Sequence, residues 1–146
     1  MTREEFSAKL KELRLTEHYT QDQVAEKSQV FPQAISRVEL AKRKYGLEIA
    51  YKYLNELGYN LIINVDGKRL LATSVAAFNM TINQLLNEHH ISKSYLACRL
   101  LMTPANMRKL MREFSSTKID TALAMINFFG GTIEFKRNYL YQQKQL

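Results

Sequence analysis

The sequence is poor in the residues that interrupt helices or cross-link a chain. Its 146 residues include five glycines and two prolines, which favours helices over a fold of many short strands. The single cysteine, Cys98, excludes an internal disulfide and fits a reducing compartment. No apolar run approaches the ~20 residues of a membrane-spanning helix, and the charged first residues do not resemble a signal peptide. We therefore expect a soluble, cytoplasmic protein with one ordinary domain or two very small ones.

The composition points to a packed chain with a basic surface. Apolar residues make up 46% of the sequence, which is ample for a hydrophobic core, and the formal net charge is +7 with a pI near 9.5. A basic balance favours a polyanionic partner such as nucleic acid. Because many soluble proteins are equally basic, the charge by itself does not decide the function.

The chain aligns with itself, without a gap, when it is shifted by 72 residues from Phe6 to Val65. The identical pairs are Phe6/Phe78, Leu13/Leu85, His18/His90, Ala25/Ala97, Pro32/Pro104, Ala50/Ala122, Asn55/Asn127 and Gly58/Gly130. Apolar positions between these pairs also stay in register. A shared helical period explains some of the matches, but it does not keep a proline and a helix-ending glycine aligned. The pattern predicts two tandem domains, 1–67 and 74–138, joined by a short linker from Asp66 to Thr73.

Each half reads as several short helices followed by one strand. Capping residues, a proline at a first helical position and a helix-ending glycine mark the boundaries. Asp66-Gly67 is a turn signal after the first strand, so Lys68 to Leu71 is expected to fold back as a second strand. The predicted elements of the first half are helices over Glu4–Leu13, after Thr20, from Pro32 and over Leu47–Leu57, then a strand over Tyr59–Val65. Those of the second half are helices over Ser74–Asn87, Ser92–Leu101, Thr103–Glu113 and Ile119–Phe129, then a strand over Thr132–Arg137.

The segment from Thr20 to Arg43 resembles the helix-turn-helix of phage repressors and Cro proteins, the XRE-type family. The residues that carry the likeness are Thr20-Gln21, Val24-Ala25, Val30, Ile35-Ser36-Arg37, Val38-Glu39 and Lys42-Arg43. The resemblance implies a mainly α fold of two tandem lambda-repressor-like units. In such a unit, a small residue at the helix crossing and a few apolar residues fix the angle at which the second helix enters the major groove.

Two positions depart from the family pattern. Gln29 stands where the family usually has the glycine of the turn, and Phe31 stands where it usually has a serine or threonine cap. A glutamine with positive φ costs about 1 kcal/mol, which a stable domain tolerates. Phe31 is expected either to cover the turn or to lie against a thymine methyl group or a sugar.

The resemblance also implies which residues contact DNA. Gln33, Ser36 and Arg37 would read base edges from the recognition helix, because glutamine pairs with adenine and arginine with guanine. Gln21 would donate to a phosphate from the start of the preceding helix. The remaining phosphate ligands would be Lys42, Arg43 and Lys44. The alternative for these three lysine and arginine residues is a solvated charge run.

The second unit, Ile91 to Glu113, keeps the apolar pattern but lacks the diagnostic polar residues. Its presumed recognition helix offers a possible second site for DNA or for a partner protein, formed by Asn106, Arg108, Lys109 and Arg112. Basic side chains permit DNA contact, and an asparagine can read adenine. A degenerate copy that is kept for packing or for binding a protein explains the pattern equally well.

The strand Tyr59–Val65, which follows a helix ending in Leu-Gly, resembles that of the antitoxin repressors that partner persistence kinases, the HipB type. In that family, strands of two subunits pair across a dimer. Here Thr132–Arg137 occupies the matching place in the second half, so the two strands are expected to pair in a small sheet. Pairing within one chain would make a pseudo-dimer with two unlike reading heads, whereas pairing between chains would make a homodimer.

Nothing in the sequence indicates an enzyme, a metal site or a cofactor. His18, His89 and His90 lack ligand spacing, Cys98 has no second cysteine or base near it, and no glycine loop for phosphates is present. We expect a bacterial or phage-encoded, nucleoid-associated regulator, most simply a repressor, with double-stranded DNA as its partner. The alternative is a mobile-element inhibitor or antitoxin that autoregulates through its first domain and binds a partner protein through its second.

Overall fold

The computed structural model describes residues 1–112 and 117–138, which form eight helices and a three-stranded sheet. The predicted helix end at Glu113 lies outside these residues. The elements of the first half are α1 (Arg3–Thr16), α2 (Gln21–Ser28), α3 (Pro32–Leu40), α4 (Leu47–Leu57), β1 (Tyr59–Val65) and β2 (Lys68–Ala72). The second half comprises α5 (Val75–Glu88), α6 (Lys93–Arg99), α7 (Pro104–Arg112), α8 (Ile119–Phe128) and β3 (Thr132–Arg137). The fold is mainly helical, as predicted.

Side-chain caps set the starts of most helices. The hydroxyls of Thr2, Thr20, Ser74 and Ser92 each accept a hydrogen bond from a backbone N–H in the first turn. At Thr20 the predicted capping box is complete, since the Gln23 side chain also accepts from the Thr20 N–H. These contacts satisfy N–H groups that have no partner inside the helix.

The sheet is antiparallel with β1 in its centre, in the order β2-β1-β3. A tight turn at Asp66 and Gly67 joins β1 to β2, and both residues have positive φ (53° and 73°), as a type I′ hairpin requires. The predicted second strand is therefore confirmed. The pairing of β1 with β3 within one chain is also present, and it places Ile62 opposite Glu134.

Elements of the two halves recur at a spacing of 72 residues. The bounds of α1 and α5 differ by that number at both ends, and α3 and α7 begin 72 residues apart. Left-handed residues follow the same spacing at His18 and His90, Gln29 and Leu101, and Gly58 and Gly130. The turns between helices are thus repeated as well as the helices.

Contacts between the halves are reciprocal. Gly46 bridges Lys118, and two hydrogen bonds flank this bridge: the Leu47 N–H donates to the Thr117 carbonyl (2.8 Å) and the Ile119 N–H donates to the Tyr45 carbonyl (2.9 Å). Each of these bonds becomes the other when every residue is exchanged for the one 72 positions away.

Apolar side chains from all eight helices and β1 form one continuous core. None of the helices in residues 1–112 and 117–138 has the length and apolar character needed to cross a membrane.

Candidate nucleic-acid interface

The helix pair α2–α3 is held at a fixed angle by a small apolar core and a left-handed turn. Val24, Ala25, Ile35 and Val38 are each at most 1% exposed. Between the helices Gln29 has φ 57°, and the Val30 N–H donates to the Ala25 carbonyl at 3.1 Å. Ala25 is small enough for the close crossing that this turn creates. The apolar positions and the positive φ at Gln29 agree with the prediction from sequence.

The outer surface of α3 presents the three predicted base-reading residues. Gln33 and Arg37 are exposed and Ser36 is half-buried, while Ile35 and Val38 fill the opposite face. Residues three and four apart share one face of a helix, so the structure brings the side chains of Gln33, Ser36 and Arg37 together. Their donors and acceptors suit base edges in a major groove.

Phe31 stands at the start of this surface with 80% of its area exposed. It occupies the N-cap of α3 and provides no side-chain hydrogen bond there. Of the two expectations for Phe31, covering the turn does not fit this exposure. Phe31 precedes Gln33 by two residues, at the N-terminal end of α3.

A buried polar network holds α3 against the rest of the first half. Glu39 accepts four hydrogen bonds, two of which come from the Arg14 guanidinium at 2.8 and 2.9 Å. The other two come from the Tyr53 hydroxyl at 2.8 Å and the Gln21 amide at 3.2 Å. The side chains of Arg14 and Glu39 are only 9% and 3% exposed. Four helices therefore converge on one carboxylate.

The network shifts the pKa values of its members in the directions that favour the ion pair. Burial acts to raise the pKa of Glu39, but the hydrogen bonds from Arg14, Tyr53 and Gln21 outweigh it and the pKa lies below its ordinary value. The hydrogen bond to Glu39 raises the pKa of Arg14. Burial, together with the bond to Glu39, raises that of Tyr53. The carboxylate thus stays ionised at neutral pH.

The network also bears on Gln21, which the resemblance assigns to a phosphate. The Gln21 side-chain amide donates to the Glu39 carboxylate, and this bond fixes the position of the Gln21 side chain at the start of α2. The phosphate contact of Gln21 stays a prediction, and it is compatible with this bond because an amide nitrogen carries two hydrogens.

The predicted phosphate ligands Lys42, Arg43 and Lys44 follow α3 and are all exposed. The turn that carries them begins at Ala41, which has φ 56°. Arg3 fixes this turn, because its Nε donates to the Ala41 carbonyl at 3.1 Å while its Nη1 contacts the Asp120 carboxylate at 3.1 and 3.2 Å. Sequence reasoning missed this clamp, which links the end of α3 to the second half of the chain.

The second predicted site lies on α7. Asn106, Arg108, Lys109 and Arg112 are all exposed, and the Thr103 hydroxyl caps the helix by accepting from the Asn106 N–H at 3.1 Å. The buried face carries Met107, Leu110 and Met111. The four polar residues therefore share the outer surface of a helix that begins 72 residues after α3.

The polar network of the first half is absent from its place in the second half. Residues 72 positions after Arg14, Glu39 and Tyr53 are Leu86, Met111 and Met125, which are 2%, 6% and 0% exposed. Gln21 corresponds in the same way to Lys93, which is exposed. The second half thus packs the same helices with apolar side chains.

The other candidates for chemistry remain isolated. Among the described residues no three histidine, cysteine, aspartate or glutamate side chains are grouped as a metal site would require. His89 contacts Asp66 at 2.6 Å, His90 is a left-handed turn residue, and Cys98 is exposed.

Comparison with known proteins bears on the first half. A family model described as helix-turn-helix matches residues 10–63, a little over a third of the chain. No curated protein and no solved structure matches the chain. The matched segment contains α2, α3, α4 and most of β1, and its likeness to the XRE-type helix-turn-helix family supports a DNA-binding function.

Proposed function

We propose that the chain is a sequence-specific, DNA-binding transcriptional regulator, and most simply a bacterial or phage repressor that acts in the cytoplasm. It reads the major groove with α3, where Gln33, Ser36 and Arg37 contact base edges. Gln21, Lys42, Arg43 and Lys44 bind the phosphates on either side. The protein performs no chemistry on its ligand and uses neither a metal nor a cofactor.

The observation that carries this proposal is the outer face of α3. A helix whose inner face is buried completely at Ile35 and Val38 keeps two long polar side chains, Gln33 and Arg37, free of the core. The exposed triplet Lys42–Lys44 follows directly, and it supplies the charge that DNA phosphates attract. The segment matched by the helix-turn-helix family model, residues 10–63, includes both α3 and the basic triplet.

We further propose that the protein consists of two helix-turn-helix units in tandem, the first unit being residues 1–67 and the second unit residues 74–138. The recurrence of helix bounds, left-handed residues and caps at a spacing of 72 supports this organisation. The reciprocal bonds at Gly46 and Lys118 support it independently, because two units related by a two-fold axis pack through equivalent surfaces.

The test begins with selection of bound duplexes from a random pool, followed by affinity measurements on the selected sequence. We expect Arg37→Ala to weaken binding by about 1–3 kcal/mol and to relax the preference at one base pair. Lys136→Ala is the matched control, since it removes one exposed positive charge from β3. If no sequence is enriched, or if both variants bind like the parent protein, α3 is not a reading helix.

A further inference from the structure

The two halves of the chain meet about an approximate two-fold axis. Ile62 pairs with Glu134, and Gly46 pairs with Lys118. In both pairs the partner is the residue 72 positions later, so each pair joins equivalent positions. Equivalent residues of two units can face each other only on the symmetry axis that relates the units. Two such pairs, 16 residues apart in the chain, define this axis.

The packing of helices around the axis has the same symmetry. α1 contacts α8, and the reciprocal pair, α5 with α4, is also in contact, while α4 and α8 pack on each other. The central elements are therefore α4, α8 and the paired strands. The same rotation exchanges α3 with α7, because these helices begin at the equivalent residues Pro32 and Pro104. A dimeric helix-turn-helix protein places its two recognition helices in this way.

We propose that α7 is a second DNA-reading helix, so that a single chain reads two unlike half-sites. This inference rests on the proposed function of the first unit and deepens it. The side chains at the three reading positions differ between the units: Gln33, Ser36 and Arg37 correspond to Ala105, Arg108 and Lys109. Arg108 stands at the position of Ser36 and favours guanine. Asn106, next to the reading position Ala105, favours adenine. The order of bases that α7 selects therefore differs from the order that α3 selects.

The charge of the second unit favours DNA over a protein partner. The second unit's segment, Ile91 to Glu113, contains the five basic residues Lys93, Arg99, Arg108, Lys109 and Arg112 against the single acid Glu113, a net of +4. The helix-turn-helix segment of the first unit, Thr20 to Arg43, contains Lys27, Arg37, Lys42 and Arg43 against Asp22, Glu26 and Glu39, a net of +1. A surface that concentrates positive charge on and beside one helix is the electrostatic footprint of nucleic-acid binding.

The second unit lacks the buried carboxylate of the first, which accounts for part of this difference in net charge. Glu39 holds the Gln21 amide in the first unit, whereas the residue equivalent to Glu39 is the buried Met111. Lys93, in the place of Gln21, is exposed at the start of α6. The sequence at 114–116 has no basic residue to match Lys42–Lys44. In the second unit, Lys93 and Arg112 therefore bind the phosphates beside α7.

The experiment uses the full chain and the duplex selected above. A hydroxyl-radical footprint at one chain per duplex, with the stoichiometry fixed by sedimentation, is expected to protect two stretches about one helical turn apart. The double variant Arg108→Ala/Lys109→Ala is expected to weaken binding by about 10- to 100-fold. It should lose protection and base preference in one half-site, while Arg37→Ala affects the other half-site.

Two further variants keep the result interpretable. Arg108→Lys preserves the charge but not the planar fork that pairs with guanine, so it should lose base preference while its salt dependence stays like that of the parent. Lys136→Ala again controls for the loss of one charge. Thermal unfolding of each variant checks that the substituted surface residues leave the fold intact.

The outcomes separate the two proposals. If Arg37→Ala weakens binding and the double variant does not, α7 does not read DNA, the proposed function of the first unit stands, and the second unit serves a protein partner. If two chains bind one duplex and both half-sites respond to Arg37→Ala alone, the second half is not a reading head. If neither substitution has an effect, both proposals fail.

Discussion

The buried ion pair between Arg14 and Glu39 makes a strong prediction about stability. Glu39→Met removes the carboxylate that accepts four hydrogen bonds and leaves the Arg14 guanidinium in a nearly closed site. Removing one partner of a buried ion pair costs about 3–5 kcal/mol, because the other charge stays buried without compensation. That is a large part of the 5–15 kcal/mol by which domains of this size are usually stable.

The second half of the chain provides the matching rescue. The triple variant Arg14→Leu/Glu39→Met/Tyr53→Met installs the residues that stand at 86, 111 and 125. Replacing a whole buried ionic cluster by apolar residues is often neutral or stabilising, so we expect the triple variant to regain most of the loss. The three substitutions must therefore be strongly non-additive, as expected for residues in direct contact.

Urea unfolding followed by circular dichroism measures these differences. The matched control is Glu12→Gln, which removes an exposed carboxylate paired with Lys9 at 3.2 Å and should change the free energy of unfolding by less than about 0.5 kcal/mol. At about 2–4 °C per kcal/mol, a loss of about 3–5 kcal/mol means that Glu39→Met should lower Tm by roughly 6–20 °C. A Glu39→Met variant as stable as Glu12→Gln, or a triple variant no better than the single one, would refute the reasoning.

Three further predictions concern backbone, cap and pH. Leu101 is 95% exposed with φ 57°, a backbone conformation that a Cβ strains. Leu101→Gly should therefore raise the free energy of unfolding by about 1 kcal/mol. Leu101→Ala keeps the Cβ and serves as the control, so an equal gain in both variants contradicts the strain argument. Phe31→Ser supplies the missing hydroxyl cap of α3 and should add about 1 kcal/mol, seen as a rise in Tm; a fall would show that the exposed ring stabilises the fold. Because the folded-state pKa of Glu39 is lowered, its stabilising effect is complete above about pH 4.5 and is lost as the pH falls through the lowered value. Glu39→Gln should therefore flatten the decline of stability in acid, measured by urea unfolding at several pH values, and an unchanged slope would assign the decline to other carboxyl groups.

The helix starts could be predicted closely from the sequence because local chemistry sets them. α7 begins at Pro104 after the Thr103 cap, and the Thr20 box opens α2. The end of α1 was harder to predict. It runs to Thr16, past the predicted end at Leu13, because Arg14 continues its buried face.

The polar contacts inside the site depend on residues that are distant in the chain. Arg14 stands eight residues after Phe6 on the apolar face of α1, and a charge on such a face is a signal for a buried ion pair. The sequence does not reveal that Glu39 is its partner, 25 residues away, or that Arg3 reaches Asp120. Spacing predicts which face of α3 is outward, whereas the anchoring of α3 arises only from tertiary packing.

The hairpin between β1 and β2 has a consequence for how the protein responds to its own abundance. The strand Lys68–Ala72 carries the chain from the β1–β3 pairing directly to α5, so the two halves are joined covalently across their shared interface. Their effective concentration for each other is on the order of millimolar, and dilution does not change it. Under the two-site function proposed above, occupancy of the DNA site should then rise with the first power of protein concentration, whereas a regulator that must dimerise follows a steeper curve at low copy number.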